Sequence, residues 1–263
     1  DAGTVPITGA AGGTTALTSL TVSAASQADL ANVTTTGTQS ITAGNIDLNG
    51  GTYSSTTGGA IGFTGAVDLD TAGAIGITTA GGAGDNISFS TTVDDDAAND
   101  TDLTLGAGAG GNVTVSGAVG ATNAPASVTV TGAAQVDVVN ITTIGAQSIT
   151  GTNIDLNGTA YNSNDGTISY TGAVDLIGAG VSIDSDANND ATDGNISFSS
   201  TVDGGQTLTL DADAGTVTIT GAAGGTIALT SLTVSAASQA DLANVTTTGA
   251  QSVTATNRSE ERR

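Results

Sequence analysis

The chain has 263 residues, a net charge of −22 and no His, Cys, Met or Trp, and its first basic side chain is Arg258. That balance argues against nucleic acid and anionic membrane as partners, since both are held by Lys and Arg that displace counterions, and it favours solubility and divalent cations instead. Without Cys there are no disulfides or thiolate metal sites, without Lys there are no isopeptide cross-links, and no apolar run is long enough to cross a membrane.

The opening segment DAGTVPITGAAGGTTALTSLTVSAASQADLANVTTTGTQSITAGN, residues 1–45, returns as residues 213–257 with five substitutions. A more diverged copy begins near Gly111, where NVTVSGAVG answers TVPITGAAG and GAQSITGTNIDLNG answers GTQSITAGNIDLNG. The supra-repeat is therefore 104 to 108 residues long. It divides the chain into repeat 1 (1–110), repeat 2 (111–214), a partial repeat 3 (215–257) and the charged tail RSEERR (258–263).

Within each repeat, short β-branched segments follow one another: VTVSG at 113, SVTVTG at 127, QSITG at 147, NIDLNG at 153, TISYTG at 167, AVDLIG at 173, NISFSS at 195, TLTLD at 207 and TVTITG at 216. Each alternates with period two, all but NISFSS end in Gly, Asn or Asp, and no stretch of helical periodicity is long enough to cover a sheet. The fold class is all-β. Tandem immunoglobulin-like sandwiches of about 105 residues are one way to build such a period, but each needs about seven strands of normal length and a thick core. Here aromatics are 2% of the chain and the strands are too many and too short. A parallel β-helix of roughly 20-residue coils, spaced about 4.8 Å apart, accounts for the small residues, the polar corners and the length changes between copies. On that reading the chain makes roughly 13 coils in a rod about 60 Å long.

The wording GNIDLNG, GAVDLDTAGAIGITT and GTVTITGAAGGTIALTSLTVSAA resembles the filamentous haemagglutinin-like and "beta strand repeat" surface proteins of bacteria, over nearly the whole chain. The resemblance implies a right-handed β-helical rod, secretion to the cell surface, and service in adhesion and biofilm structure.

The repeat separates scaffold from candidate sites. Aromatics recur as Tyr53 with Tyr161, Phe63 with Tyr170 and Phe89 with Phe198, which marks them as core. Corner Asn residues recur (Asn32, Asn140, Asn244; Asn45, Asn153, Asn257), as do Asp29, Asp137 and Asp241, Asp47 with Asp155, and Asp68 with Asp175. Two acidic inserts do not recur. One carries Asp94, Asp96 and Asp100; the other, DSDANNDATDG at 184–194, carries Asp184, Asp186, Asn188 and Asp190 at alternating positions, the spacing by which calcium loops deliver oxygens to one cation. Position six of that loop is Asn189 rather than Gly and position twelve is Asn195 rather than Glu, so the expected site is weak. The chain requires no cofactor, and Ca²⁺ is the one these inserts would take.

Parallel β-helices also include polysaccharide lyases and hydrolases. Those chemistries need a cationic base, or paired carboxylates with cationic and aromatic sugar contacts. The repeats hold no cation and Glu occurs only in the tail, so the expectation is a non-enzyme. The function expected is a secreted, extracellular structural fibre subunit that associates end to end with copies of itself. The alternative is an adhesin stalk whose acidic inserts meet a glycan or a surface receptor.

Overall fold

The computed structural model describes residues 3–96, 99–189 and 193–260. Every described element is a strand, and every strand pairing is parallel, joining a residue to one that lies one turn further along the chain. The chain is a β-solenoid of about 11 turns, each with three sides. We call the sides A, B and C in the order in which the chain visits them.

Side A stacks residues 4–7, 27–30, 45–48, 66–69 and 93–95, passes through a single bridge at Val119, and continues as 141–143, 161–163, 181–184, 208–211, 232–234 and 251–253. Side B runs from 33–35 through 53–55, 76–78, 101–106, 127–130, 147–150, 168–170, 196–198 and 216–219 to 239–242 and 257–260. Side C carries 20–22, 39–41, 61–63, 87–89, 113–115, 136–138, 154–156, 174–176 and 202–203, then bridges at Ala223 and Val245. Longer strands bend across a corner and serve two sides: Leu20–Leu30 supplies side C and then side A. Thr101–Val115 supplies sides B and C, and the junction between repeats 1 and 2 falls inside it. The repeat is thus a unit of sequence that the backbone crosses without a break.

The turns are longer and fewer than the expected thirteen of about 20 residues. The chain regains the same side after 18 residues between Gln27 and Asn45, but after 28 between Ile75 and Leu103. Corners absorb the difference, because the hydrogen bonds that hold a turn are made by its sides to the turns on either side of it.

Alternation places the β-branched and aliphatic residues inside. Val, Ile and Leu from all three sides fill a core too narrow for many rings, and each such side chain contributes roughly 1.5–3 kcal/mol on burial. The recurring aromatics are all buried, as their recurrence implies. Phe63 stacks on Phe89 at 5.1 Å and Tyr170 on Phe198 at 5.0 Å, while Tyr53 meets Phe63 edge-on at 6.3 Å. The Tyr53 hydroxyl donates to Leu30 O (2.6 Å) and accepts from Gly50 N (3.0 Å); Tyr161 repeats the arrangement with Val138 O and Gly158 N, both at 3.0 Å. Gln39 and Gln147 point inward as well, and each spans two turns by donating its amide to the carbonyl of Ser54 (2.8 Å) or Asn162 (2.7 Å). At the corner between two sides, Gly172 holds φ at +134°, and an added Cβ would sit 1.8 Å from Gly151 O, so only glycine fits.

A repeat is not a whole number of turns. Val5 lies on side A, its counterpart Val113 on side C and the next counterpart, Val217, on side B. Between successive counterparts the chain takes fourteen steps from one side to the next, which is four turns and two sides. Each repeat therefore presents its features one side back from the repeat before.

Among the described residues two buried hydroxyls make no hydrogen bond, those of Ser55 and Tyr170, and Tyr170 stands at the position that repeat 1 fills with Phe63. Removing an unsatisfied buried hydroxyl relieves a penalty of about 1–3 kcal/mol. Tyr170→Phe is expected to raise the thermal midpoint by several degrees, whereas Tyr161→Phe, which loses two bonds, is expected to lower it; calorimetry on both variants checks the pair.

Candidate functional site

The outward positions sort into columns. On side A, Asp29, Asp47, Asp68 and Asp94 stack in register on four consecutive turns. Neighbouring carboxylates in such a column stand about 4.8 Å apart at the backbone, and amides from the adjacent column separate them. Gln27 Nε2 donates to Asp29 Oδ1 and Asp47 Oδ2, both at 2.7 Å; Asn45 Nδ2 donates to Asp47 Oδ1 (2.6 Å) and Asp68 Oδ2 (2.9 Å). Repeat 2 builds the same ladder on side C from Asp137, Asp155, Asp175 and Asp203, with Asn153 donating to Asp155 Oδ1 at 2.8 Å. In repeat 3 Asp241 opens it on side B. The fourth rung of each complete ladder turns to the next corner: Asp94 Oδ1 accepts from Thr122 N (2.7 Å) and Asp203 Oδ1 from Thr226 N (2.8 Å). The carboxylates that the repeat marks as framework are framework, and Asp94 joins them as the counterpart of Asp203.

The stacking shows in the proton affinities. Partial burial, a hydrogen bond with Asp29, and the negative charges of Asp70 and Asp29 push Asp47 up to about 6, against a lowering contribution from the Gln27 amide. Asp155 is raised as well, chiefly by burial and then by Asp137.

The strands that flank both acidic inserts border the same corner, from side A to side B. Residues 96–100 join 93–95 to 101–106, and the second insert joins 181–184 to 196–198, four turns further along side A. That separation is about 19 Å. Their positions within the repeat differ, so the shared corner is visible only once the turns are counted.

Of the alternating set in the second insert, Asp184, Asp186 and Asn188 are described. Asp184 ends its strand, stacks on Asp211 and accepts from Asp186 N (3.1 Å). Its carboxyl is raised, first by burial and then by Asp211 and Asp213. The exposed Asn188 donates its amide to Asp165 Oδ1 on the turn beneath at 2.9 Å, and Asp190 lies outside the described residues. What converges is Asp186, which is buried, with Asp193 and Asp213, each contributing an oxygen within 4.8 Å of the others. Asp213 comes from the next turn of the same corner. Among the described residues, Asp94, Asp96 and Asp100 form no such group. In that insert it is Asp95 that is buried, where its carboxylate accepts from Asp96 N (2.9 Å) and Thr101 N (3.0 Å) and shapes the loop.

No family model, curated protein or solved structure matches the chain.

Raised carboxylates fix the sign of the pH dependence. A group that binds its proton more tightly when folded destabilises the fold while it is ionised; the penalty is full above its folded value and gone below its unfolded value near 3.9. For Asp47 that window runs downward from about 6 to the ordinary carboxylate range, and Asp155 acts in the same direction. The thermal midpoint is expected to rise as pH falls from 7.5 to 4.5, and Asp47→Asn is expected to flatten that rise; melting curves across the range check both.

Proposed function

We propose that the chain is a segment of a structural rod, one stretch of an extracellular surface fibre built by repeating this unit. The observation that carries the reading is continuity: the ladders run through the junction of repeats 1 and 2 inside a single strand, with no linker and no change of architecture. Such a chain lengthens by adding turns, and a tandem array becomes a stiff spacer rather than beads on a string. The acidic, Lys-poor composition and the wording shared with filamentous haemagglutinin-like surface proteins support placing it outside the cell, with end-to-end association as its route to fibres and no catalytic role.

The length of arrays tests the reading. Each added repeat is expected to extend the particle by about 22 Å, from four and two-thirds turns at about 4.8 Å, in electron micrographs of arrays of two, four and six repeats. Articulated particles with flexible joints at repeat boundaries would rule out a continuous rod.

A second reading has a specific observation in its favour: two acidic inserts at one corner, the second bringing Asp186 and Asp193 close to Asp213 of the next turn. Such a corner suits an adhesive stalk that contacts a receptor or glycan through calcium. Millimolar Ca²⁺ is then expected to raise the thermal midpoint relative to chelator, with stabilisation on the order of 1 kcal/mol when the ion is about tenfold above its dissociation constant. Asp213→Asn is expected to abolish that rise; equal midpoints with calcium and with chelator in the wild type would remove the reading.

A further inference from the structure

The rod has one strong surface signal, its carboxylate ladders, and the fourteen-strand repeat dictates where they go. Repeat 1 places Asp29, Asp47 and Asp68 on side A, repeat 2 places Asp137, Asp155 and Asp175 on side C, and repeat 3 starts on side B with Asp241. The chain itself winds from A to B to C, so the ladder steps backwards, as a slow screw of the opposite hand to the coil. It regains its side after three repeats, fourteen turns or about 67 Å.

The uncharged columns turn with it. In repeat 1 the central column of side C reads Thr21, Ser40, Gly62 and Ser88, and meets Thr114 at the start of repeat 2. In repeat 2 the corresponding column, Thr129, Ser148, Ser169 and Ser197, lies on side B and meets Thr218 of repeat 3. A repeat of fifteen strands would keep every ladder on one side. Parallel sheet faced mainly by small hydroxyls would then run along the other sides of an array, a surface on which sheets of neighbouring rods pack face to face. With fourteen strands, no side escapes the ladder.

We infer that the one-side step of the repeat is a device against lateral association, and that the partner these faces are built to repel is a second copy of this chain. Like-charged ladders on every side hold parallel rods apart, while the ends remain free to join. The repulsion acts between exposed charges and falls off over a Debye length of about 10 Å at 0.1 M salt. Position of charge should therefore matter more than its total. This property belongs to the sides of the isolated chain, so its failure would leave the spacer reading standing.

The test compares two variants of equal net charge at neutral pH and low salt. Asp29→Asn, Asp47→Asn and Asp68→Asn together remove three of the four rungs of the ladder on side A; Asp70→Asn, Asp100→Asn and Asp102→Asn remove three charges that belong to no ladder. Sedimentation velocity is expected to show the ladder variant associating at a protein concentration at least tenfold lower than wild type, with side-by-side pairs in micrographs, and the control behaving as wild type. Equal association of both variants would overturn the inference in favour of net charge alone, and no association of either would overturn it outright. Should the triple variant fail to fold, Asp137→Asn, Asp155→Asn and Asp175→Asn remove the corresponding rungs on side C to the same end. Wild type alone supplies a further measurement, since its lateral association must increase with salt; indifference to salt would also overturn the inference.

Discussion

Everything in this molecule follows from the parallel ladder that binds each turn to the next. Because the pairing is in register, a residue's neighbours above and below are set by the number of residues per turn, and like positions stack on like. Stacking is what makes a narrow core of Val, Ile and Leu sufficient, since every inward side chain is covered by its counterparts one turn away. It also puts the rings of Phe63 and Phe89 face to face and carries the Gln39 amide to a carbonyl on the adjacent turn. The same rule makes the surface hazardous: an outward Asp on one turn stands beside an outward Asp on the next. The Gln27 and Asn45 amides, shared between consecutive carboxylates, are the local answer to that crowding, and partial burial, with the neighbouring Asp29 and Asp70, keeps the proton affinity of Asp47 elevated all the same.

Much of the fold was legible in the sequence because period-two alternation, polar corners and a repeating text all point to stacked short strands. Recurrence also separated framework from insert: the buried aromatics and the Asp29, Asp47 and Asp68 column are where their repetition in repeat 2 says they should be. Turn length was not legible. Corners between Gln27 and Asn45 and between Ile75 and Leu103 differ by ten residues per turn, and corner length leaves no trace in the alternation of the sides. Without it, neither the count of turns nor the side on which a strand lies can be read.

The same limit governs the acidic inserts. The alternation of Asp and Asn at 184–190 points along the chain, whereas the described carboxylates that lie together, Asp186, Asp193 and Asp213, come from two turns, and Asn188 bonds to the turn before. A solenoid makes sites across turns as readily as along them. The fractional repeat has a larger consequence of the same kind: identical text at Asp29, Asp137 and Asp241 appears on three different sides, so a rod written from one repeated sentence is charged all round.

The central claim, that one continuous solenoid advances four and two-thirds turns per repeat, is tested most directly by pulsed electron resonance on two pairs of spin labels. Ser40 and Ser148 are counterparts in successive repeats but lie on sides C and B; Ser40 and Asp155 share the central column of side C, five turns apart, about 24 Å. The account requires the Ser40–Asp155 distance to be the shorter of the two, although the counterparts are closer along the axis. A shorter Ser40–Ser148 distance would mean that the repeat closes on a whole number of turns, and would contradict it.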